Sequence, residues 1–146
     1  MTRRNTNTDH TLEISSNTEL LDEARTFVTD AARNFGFREE DVAKIELAVD
    51  EACTNIIKHA YRDDPSGRIR LTVSTADRTR FTVTIYDNGI GFDASHYTMP
   101  DMREYFLKPR KGGLGIVLMK RLMDEVEYDV RRGTSNAIRL IKYLHP

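Results

Sequence analysis

The fold of this chain is decided by the stretch Glu51-Ala52-Cys53-Thr54-Asn55-Ile56-Ile57-Lys58-His59-Ala60-Tyr61. Its spacing predicts a helix whose apolar stripe is formed by Ile45, Ala48, Val49, Ala52, Ile56 and Ala60. Glu51 and Asn55 are one helical turn apart, so they lie side by side at the margin of the core. A partly buried carboxylate beside a carboxamide costs stability unless something binds there. The pair therefore indicates a functional site, although an ion pair of Glu51 with Lys44 or Lys58 remains an alternative.

Composition bounds the class of protein. The 146 residues include 31% charged and 39% hydrophobic residues, with a formal net charge of −1, which is ordinary for one globular domain. The sequence has no basic half that would attract nucleic acid, no apolar run long enough to span a membrane and no signal-peptide core. We therefore expect a cytoplasmic protein with no direct contact with nucleic acid or membrane. The single cysteine excludes an internal disulfide, and the four histidines show no metal-ligand spacing.

Hydrophobic periodicity predicts the order of the elements. We expect a disordered tail over residues 1–9 and a single domain over residues 10–146. The predicted elements are a strand at 10–15, helices at 20–35 and 38–60, strands at 69–74 and 81–86, a helix at 115–123, and strands at 126–130 and 137–144. Helices that cluster away from a mostly antiparallel sheet indicate an α+β fold, a two-layer α/β sandwich with the helices on one face.

Three local signals refine this outline. Ser16 to Glu19 has the form of a capping box for the first helix, and Gly36 stands where a C-terminal cap belongs. Residues 89–113 show no convincing periodicity. An irregular stretch of that length in a small domain is often a functional lid.

Two glycine motifs suggest what the site binds. Asp87-Asn88-Gly89-Ile90-Gly91 follows a strand, where the glycines let the backbone turn sharply and approach a ligand, and Asp87 is placed to accept a hydrogen bond from it. Gly112-Gly113-Leu114-Gly115 directly precedes a helix, whose free N–H groups form an anion site. This second motif is neither a Walker A loop nor a Rossmann fingerprint. Either motif alone could be a structural turn.

Together the three motifs resemble the Bergerat ATP-binding fold of the gyrase, heat-shock chaperone, histidine-kinase and MutL superfamily, over roughly residues 10–144. The run from Glu51 to Tyr61, with residues 112–116 and 122–126, is similar to the bacterial anti-sigma-factor serine/threonine kinases of partner-switching pathways. The resemblance implies that residues 10–146 form a single ATP-binding kinase domain with a histidine-kinase-like ATPase fold that uses ATP and Mg²⁺.

The resemblance also implies a role for individual residues. Glu51 would be the general base that takes the proton from a serine hydroxyl of the partner, and Asn55 would hold the Mg²⁺ that bridges the phosphates. Asp87 would accept a hydrogen bond from the adenine amino group. Gly89 and Gly91 would leave room for the nucleotide.

The remaining implied contacts concern the phosphates and the base. Gly113 and Gly115 would pass the chain around the phosphates, and Thr134 resembles the family's threonine beside the adenine. The lid is basic, and we expect Lys111 to reach the nucleotide; its other cations are Arg103, Lys108 and Arg110.

The implied function is that of an ATP-dependent serine/threonine protein kinase. It would phosphorylate an anti-anti-sigma protein, sequester a sigma factor and form a homodimer. The alternative is a non-catalytic binding module that responds to ATP and holds or releases a partner. A histidine kinase is not expected, because neither His10 nor His59 lies in a dimerisation helix.

Overall fold

The computed structural model describes residues 9–89, 113–130 and 136–145. The strands are β1 Asp9–Ser15, β2 Arg68–Ser74, β3 Arg80–Asp87, β4 Glu125–Val130 and β5 Asn136–Tyr143; the helices are α1 Leu21–Phe35, α2 Glu39–Asn55 and α3 Gly113–Leu122. The strands form one sheet in the order β1-β2-β3-β5-β4, with every neighbouring pair antiparallel. The predicted α+β sandwich with an antiparallel sheet is confirmed. No helix in these ranges is long and apolar enough to cross a membrane.

Side-chain alternation decides which face of the sheet the helices cover. In β2 the side chains of Ile69, Leu71 and Val73 are fully buried, whereas the alternate side chains of Arg68 and Arg70 are exposed. The opposite face is polar, and there the Arg70 guanidinium lies 4.5 Å from the centroid of the Tyr86 ring on the next strand. An apolar face and a polar face on one antiparallel sheet leave a single side for the helices to pack against.

The second helix occupies the middle of the helical layer. It packs against both α1 and α3 and also contacts β3 and β5. Its buried stripe consists mainly of small side chains, each at most 2% exposed: Val42, Ile45, Ala48, Val49, Ala52 and Cys53. Small residues let this helix approach its neighbours closely, so its polar residues are held at a fixed height above the sheet.

The start of the first helix differs from the prediction. Asn17 caps the short 3₁₀ turn that leads into α1, its Oδ1 accepting the Glu19 amide at 2.9 Å. Ser16 is buried, and its Oγ instead donates to the Asp64 carbonyl and accepts the Gly67 amide at 2.9 Å. The capping box assigned to Ser16 is therefore wrong, because that hydroxyl is engaged by the turn before β2.

The ends of the helices follow the sequence more closely. Gly36 has a φ of 116° and its amide bonds the carbonyls of Ala32 and Arg33, as expected of a C-terminal cap. The strand predicted at 10–15 begins one residue earlier, at Asp9, which the prediction had assigned to the disordered tail. The rest of that tail, and nearly all of the predicted lid, lie outside the described residues.

The second helix ends in a way that periodicity did not predict. Beyond Asn55 it continues as a π-helical turn over Ile56–Ala60, which is closed by a 3.0 Å bond from the Tyr61 amide to the carbonyl five residues earlier. Arg62 and Asp63 follow with φ values of 52° and 65°. Such left-handed conformations cost roughly 1 kcal/mol each for residues with a side chain. The turn is therefore held in place by its surroundings.

The packing of Gly67 against Tyr61 makes a first prediction. A Cβ added to Gly67 would lie 2.5 Å from two carbons of the Tyr61 ring. We expect Gly67→Ala to lower the free energy of unfolding by about 1–3 kcal/mol, the usual cost of overpacking, as measured by urea denaturation. The control is Ser66→Ala next to it: this exposed side chain loses only its hydrogen bond to the Asp64 carboxylate, so stability should fall by about 0.5 kcal/mol. Equal midpoints for Gly67→Ala and wild type would contradict this account of the contact.

Candidate functional site

Glu51 and Asn55 lie where the helical spacing placed them. Both are half-buried on α2. Within the described part of the chain neither side chain has a hydrogen-bond or ion-pair partner. Lys44 pairs with Glu40 at 3.8 Å, so the ion pair that could have explained Glu51 is not formed with that lysine. A carboxylate and a carboxamide are thus both available to a ligand on one face of the helix.

The neighbouring carboxylate provides a contrast. Asp50 forms an ion pair with Arg25 of α1, and Arg25 also bonds Asp22 at 2.8 Å. The hydrogen bond to Asp22, followed by that to Asp50, raises the pKa of the Arg25 guanidinium. The charge of Asp50 is therefore neutralised by a link between the two helices, whereas no described residue forms an ion pair with Glu51, one residue later.

Asp87 is a buried carboxylate at the end of β3. It is 7% exposed and pairs in the ladder with Ile69 on one side and Asn136 on the other. Asp87 is therefore still part of the strand, whereas the sequence predicted that it follows the strand. The Asn136 side-chain amide donates to its Oδ1 at 3.2 Å. Burial raises the pKa of the Asp87 carboxyl, and hydrogen bonds from Asn136 and from the Gly89 amide offset part of that rise. The carboxylate is fixed in place and retains acceptor capacity for a further donor.

The backbone after β3 turns as the glycine motif predicts. Gly89 is buried and has a φ of 52°. This left-handed conformation is accessible to glycine without strain. Asp87, Asn88 and Gly89 are referred to below as the Asp87–Gly89 turn.

A tyrosine that sequence reasoning left without a role lies beside this turn. Tyr61 is 1% exposed, and its hydroxyl donates to the Arg68 carbonyl at 2.5 Å and accepts the Asn88 amide at 2.8 Å. A buried tyrosine usually finds a partner for its hydroxyl, which is the only signal in the sequence that could have identified this contact. The contact of Asn136 with Asp87 could not have been found without the register of β5.

The third helix begins at the second glycine motif. Its first residue is Gly113, two positions before the predicted start, and Gly115 lies in its first turn. The helix packs against α2, with Met119 fully buried. The free N–H groups of this N-terminus form the kind of end that binds anions.

Three of the predicted nucleotide contacts lie outside the described residues, namely Gly91, Lys111 and Thr134. The other lid cations, Arg103, Lys108 and Arg110, also lie outside them. The described residues hold no cluster of three His, Cys, Asp or Glu side chains that could bind a metal by itself. Cys53 is no nucleophile, because burial raises the pKa of its thiol to about 12. The chemistry of the described site therefore centres on Glu51, Asn55 and Asp87.

Comparison with known proteins identifies the family of this chain. The family described as "Histidine kinase-like ATPase domain" matches residues 14–142. The serine-protein kinase RsbW of Bacillus velezensis is 29% identical over 144 residues, an alignment that covers 92% of this chain and 84% of that protein. The RsbW of Bacillus licheniformis is 31% identical over 124 residues, covering 78% of this chain and 72% of that protein.

A solved structure shares the fold. It is the crystal structure of the RsbU and RsbW domains of Rv1364c from Mycobacterium tuberculosis, which superposes with a TM-score of 0.63 at 15% identity. The match covers 94% of this chain and 32% of that longer one. The family predicted from the three motifs is thus confirmed: this chain belongs to the histidine kinase-like ATPase domain family and, within it, to the RsbW serine-protein kinases.

Proposed function

We propose that this chain transfers the γ-phosphoryl group of ATP to a serine hydroxyl of an anti-anti-sigma protein. The observation that carries the proposal is the half-buried Glu51 carboxylate, which has no partner among the described residues and stands one helical turn before Asn55. A structural glutamate at such a position would be expected to form an ion pair, as Asp50 does with Arg25. An unpaired carboxylate is what a general base needs.

Glu51 would act as the general base that activates the serine hydroxyl of the partner for attack. As the serine oxygen forms its bond to the γ-phosphorus, the bond from that phosphorus to the β–γ bridging oxygen breaks and ADP leaves. The serine proton passes to the Glu51 carboxylate. Phosphoryl transfer of this kind depends mostly on positioning and charge neutralisation, and a rigid helix supplies the positioning.

Asn55 has the chemistry to hold Mg²⁺. Its carboxamide oxygen is a hard donor and makes no hydrogen bond within the described ranges. A single protein ligand suits an ion that takes its other ligands from phosphate oxygens and water. Mg²⁺, when bound, supplies positive charge to the phosphates; the protein's part is to offer the oxygen of Asn55 at a fixed place on α2.

Asp87 would select the base. Its fixed, buried carboxylate can accept a hydrogen bond from the amino group of adenine, while Gly89 leaves the turn open for the ring. The N-terminus of α3 at Gly113 and Gly115 would receive the phosphates.

The remaining parts of the proposal rest on family membership and the sequence. Gly91, Thr134 and Lys111 would complete the nucleotide contacts. We further propose that the chain sequesters a sigma factor, forms a homodimer and works in the cytoplasm.

Nucleotide binding is the first test of this function. We expect wild type to bind ATP with a micromolar dissociation constant, about −8 kcal/mol, and Asp87→Asn to lose this binding, because the fixed charge that receives the adenine amino group is gone. Calorimetry with ATP and Mg²⁺ measures both. Asp77→Asn, which removes an exposed carboxylate from the β2–β3 connection, should bind like wild type. If Asp87→Asn bound ATP as tightly as wild type, the role of Asp87 would be disproved.

The stability of the same variant has an expected pH dependence. Because burial raises the pKa of Asp87, the folded protein binds this proton more tightly than the unfolded chain does. The ionised carboxylate therefore destabilises the fold near neutral pH, and the penalty disappears as the pH falls through the raised pKa. Asp87→Asn should unfold at a higher urea concentration than wild type at neutral pH, with the difference shrinking on acidification. If the difference in urea midpoint between Asp87→Asn and wild type grew on acidification, the raised pKa of Asp87 would be contradicted.

Phosphotransfer tests Glu51 directly. Glu51→Gln keeps the shape of the side chain but removes the base, so transfer of labelled γ-phosphate to anti-anti-sigma proteins of the same organism should fall by roughly 100- to 10,000-fold. ATP affinity should change little. Glu46→Gln, a change on the same helix away from the pair, should keep wild-type transfer. Tight ATP binding by wild type without transfer to any such protein would instead favour the non-catalytic, ATP-responsive binding module.

A further inference from the structure

One buried tyrosine connects the helix that carries Glu51 to the turn that carries Asp87. The Tyr61 hydroxyl accepts the Asn88 amide at 2.8 Å, a bond between residues 27 positions apart in the chain. Tyr61 directly follows the π-helical turn that extends α2. It is therefore the point at which the end of that helix contacts the Asp87–Gly89 turn.

The π-helical turn determines where this side chain points. A π turn contains one residue more than an α turn would need, so it shifts the angular position of every later residue by about 100° relative to a continued α-helix. Glu51 and Asn55 lie before the expansion and Tyr61 lies after it. Because of the extra residue in the π-helical turn, Tyr61 points in a different direction from the one it would have in a continuous α-helix that carries Glu51 and Asn55. Expansions of this kind occur frequently at functional sites.

The ring of Tyr61 is held on several sides. Its hydroxyl donates to the Arg68 carbonyl at 2.5 Å while it accepts from Asn88, so both hydrogen-bonding functions are used. Burial raises the pKa of this hydroxyl, which keeps it protonated and able to donate. The ring carbons lie against Gly67, where no side chain would fit. The hydroxyl therefore offers Asn88 a rigid acceptor.

The Asn88 amide belongs to the peptide group that joins Asp87 to Asn88. Tyr61 fixes that peptide on one side, and the ladder with Ile69 and Asn136 fixes Asp87 on the other. Because the backbone is fixed on both sides of Asp87, the position from which its carboxylate extends is fixed as well. Without the tyrosine hydroxyl, the Asn88 amide would lose its acceptor and the turn would be free to adopt other conformations.

We propose that Tyr61 is a positioning residue of the nucleotide site, which fixes the Asp87–Gly89 turn relative to the helix that carries Glu51 and Asn55. This inference rests on the proposed function of Asp87 in adenine recognition. Because Tyr61 is only 1% exposed, its effect on the site is transmitted through the backbone of Asn88. Its contribution is therefore to affinity and base selectivity.

The test is Tyr61→Phe, which removes the hydroxyl and keeps the ring against Gly67. We expect the dissociation constant for ATP to rise about tenfold, the effect of losing one hydrogen bond. The preference for ATP over GTP should fall as well, because GTP carries a carbonyl where adenine has its amino group and a displaced Asp87 discriminates less between them. Calorimetry with each nucleotide gives both numbers.

The matched control is Ser16→Ala. Ser16 bonds Asp64 and Gly67 in the same connection between α2 and β2, but it does not contact Asn88. It should lower the urea midpoint to a similar extent as Tyr61→Phe while leaving the ATP dissociation constant within about twofold of wild type. If both variants weakened ATP binding equally, Tyr61 would act only through the stability of that connection, and the inference would be overturned.

A spectroscopic measurement reports the bond without nucleotide. In ¹H–¹⁵N spectra of the free protein, the Asn88 amide should shift upfield and exchange faster with solvent in Tyr61→Phe, and it should be unchanged in Ser16→Ala. Normal ATP binding and base preference in Tyr61→Phe would overturn this inference alone. A wild-type protein that does not bind ATP would overturn the proposed function together with it.

Discussion

The packing of α2 against its neighbours is the contact on which the rest of the structure depends. This helix touches both other helices and the sheet, and it does so mainly through small side chains such as Ala48 and Ala52. Close-packed interiors tolerate little change in volume, so a larger residue in this stripe would lift the helix and move Glu51 and Asn55 with it. The same sequence stretch thus fills the core with one face, and at its margin it presents two polar side chains that have no partner among the described residues.

Local patterns predicted most of the scaffold and where Glu51 and Asn55 lie within it. Alternation identified the strands to within one or two residues, since each strand buries one face. Helical spacing placed Glu51 beside Asn55, because residues four apart lie on the same face of a helix. The glycine motif at the end of β3 identified Asp87 as a candidate site residue, but it did not predict that Asp87 remains part of the strand.

What the sequence could not supply depends on long-range register. Asn136 meets Asp87 only because β5 pairs with β3 at that position. The π-helical turn leaves no periodic signal, and Ser16 looked like a helix cap until the turn before β2 was seen to occupy its hydroxyl. For Asn136 and Ser16 the deciding interaction is with a residue distant in sequence, which single-sequence patterns do not encode.

The position of β5 in the sheet has a consequence for how the chain folds. The last strand in sequence is not at an edge but lies between β3 and β4. During synthesis from the N-terminus, β3 therefore keeps an open edge until residues near the end of the domain are available, and open edges invite wrong pairings. Because Asn136 belongs to that strand, the proposed nucleotide site around Asp87 would be completed in the same event that closes the sheet. An incompletely made domain would thus lack the partner that holds Asp87, and binding competence would report that folding is complete.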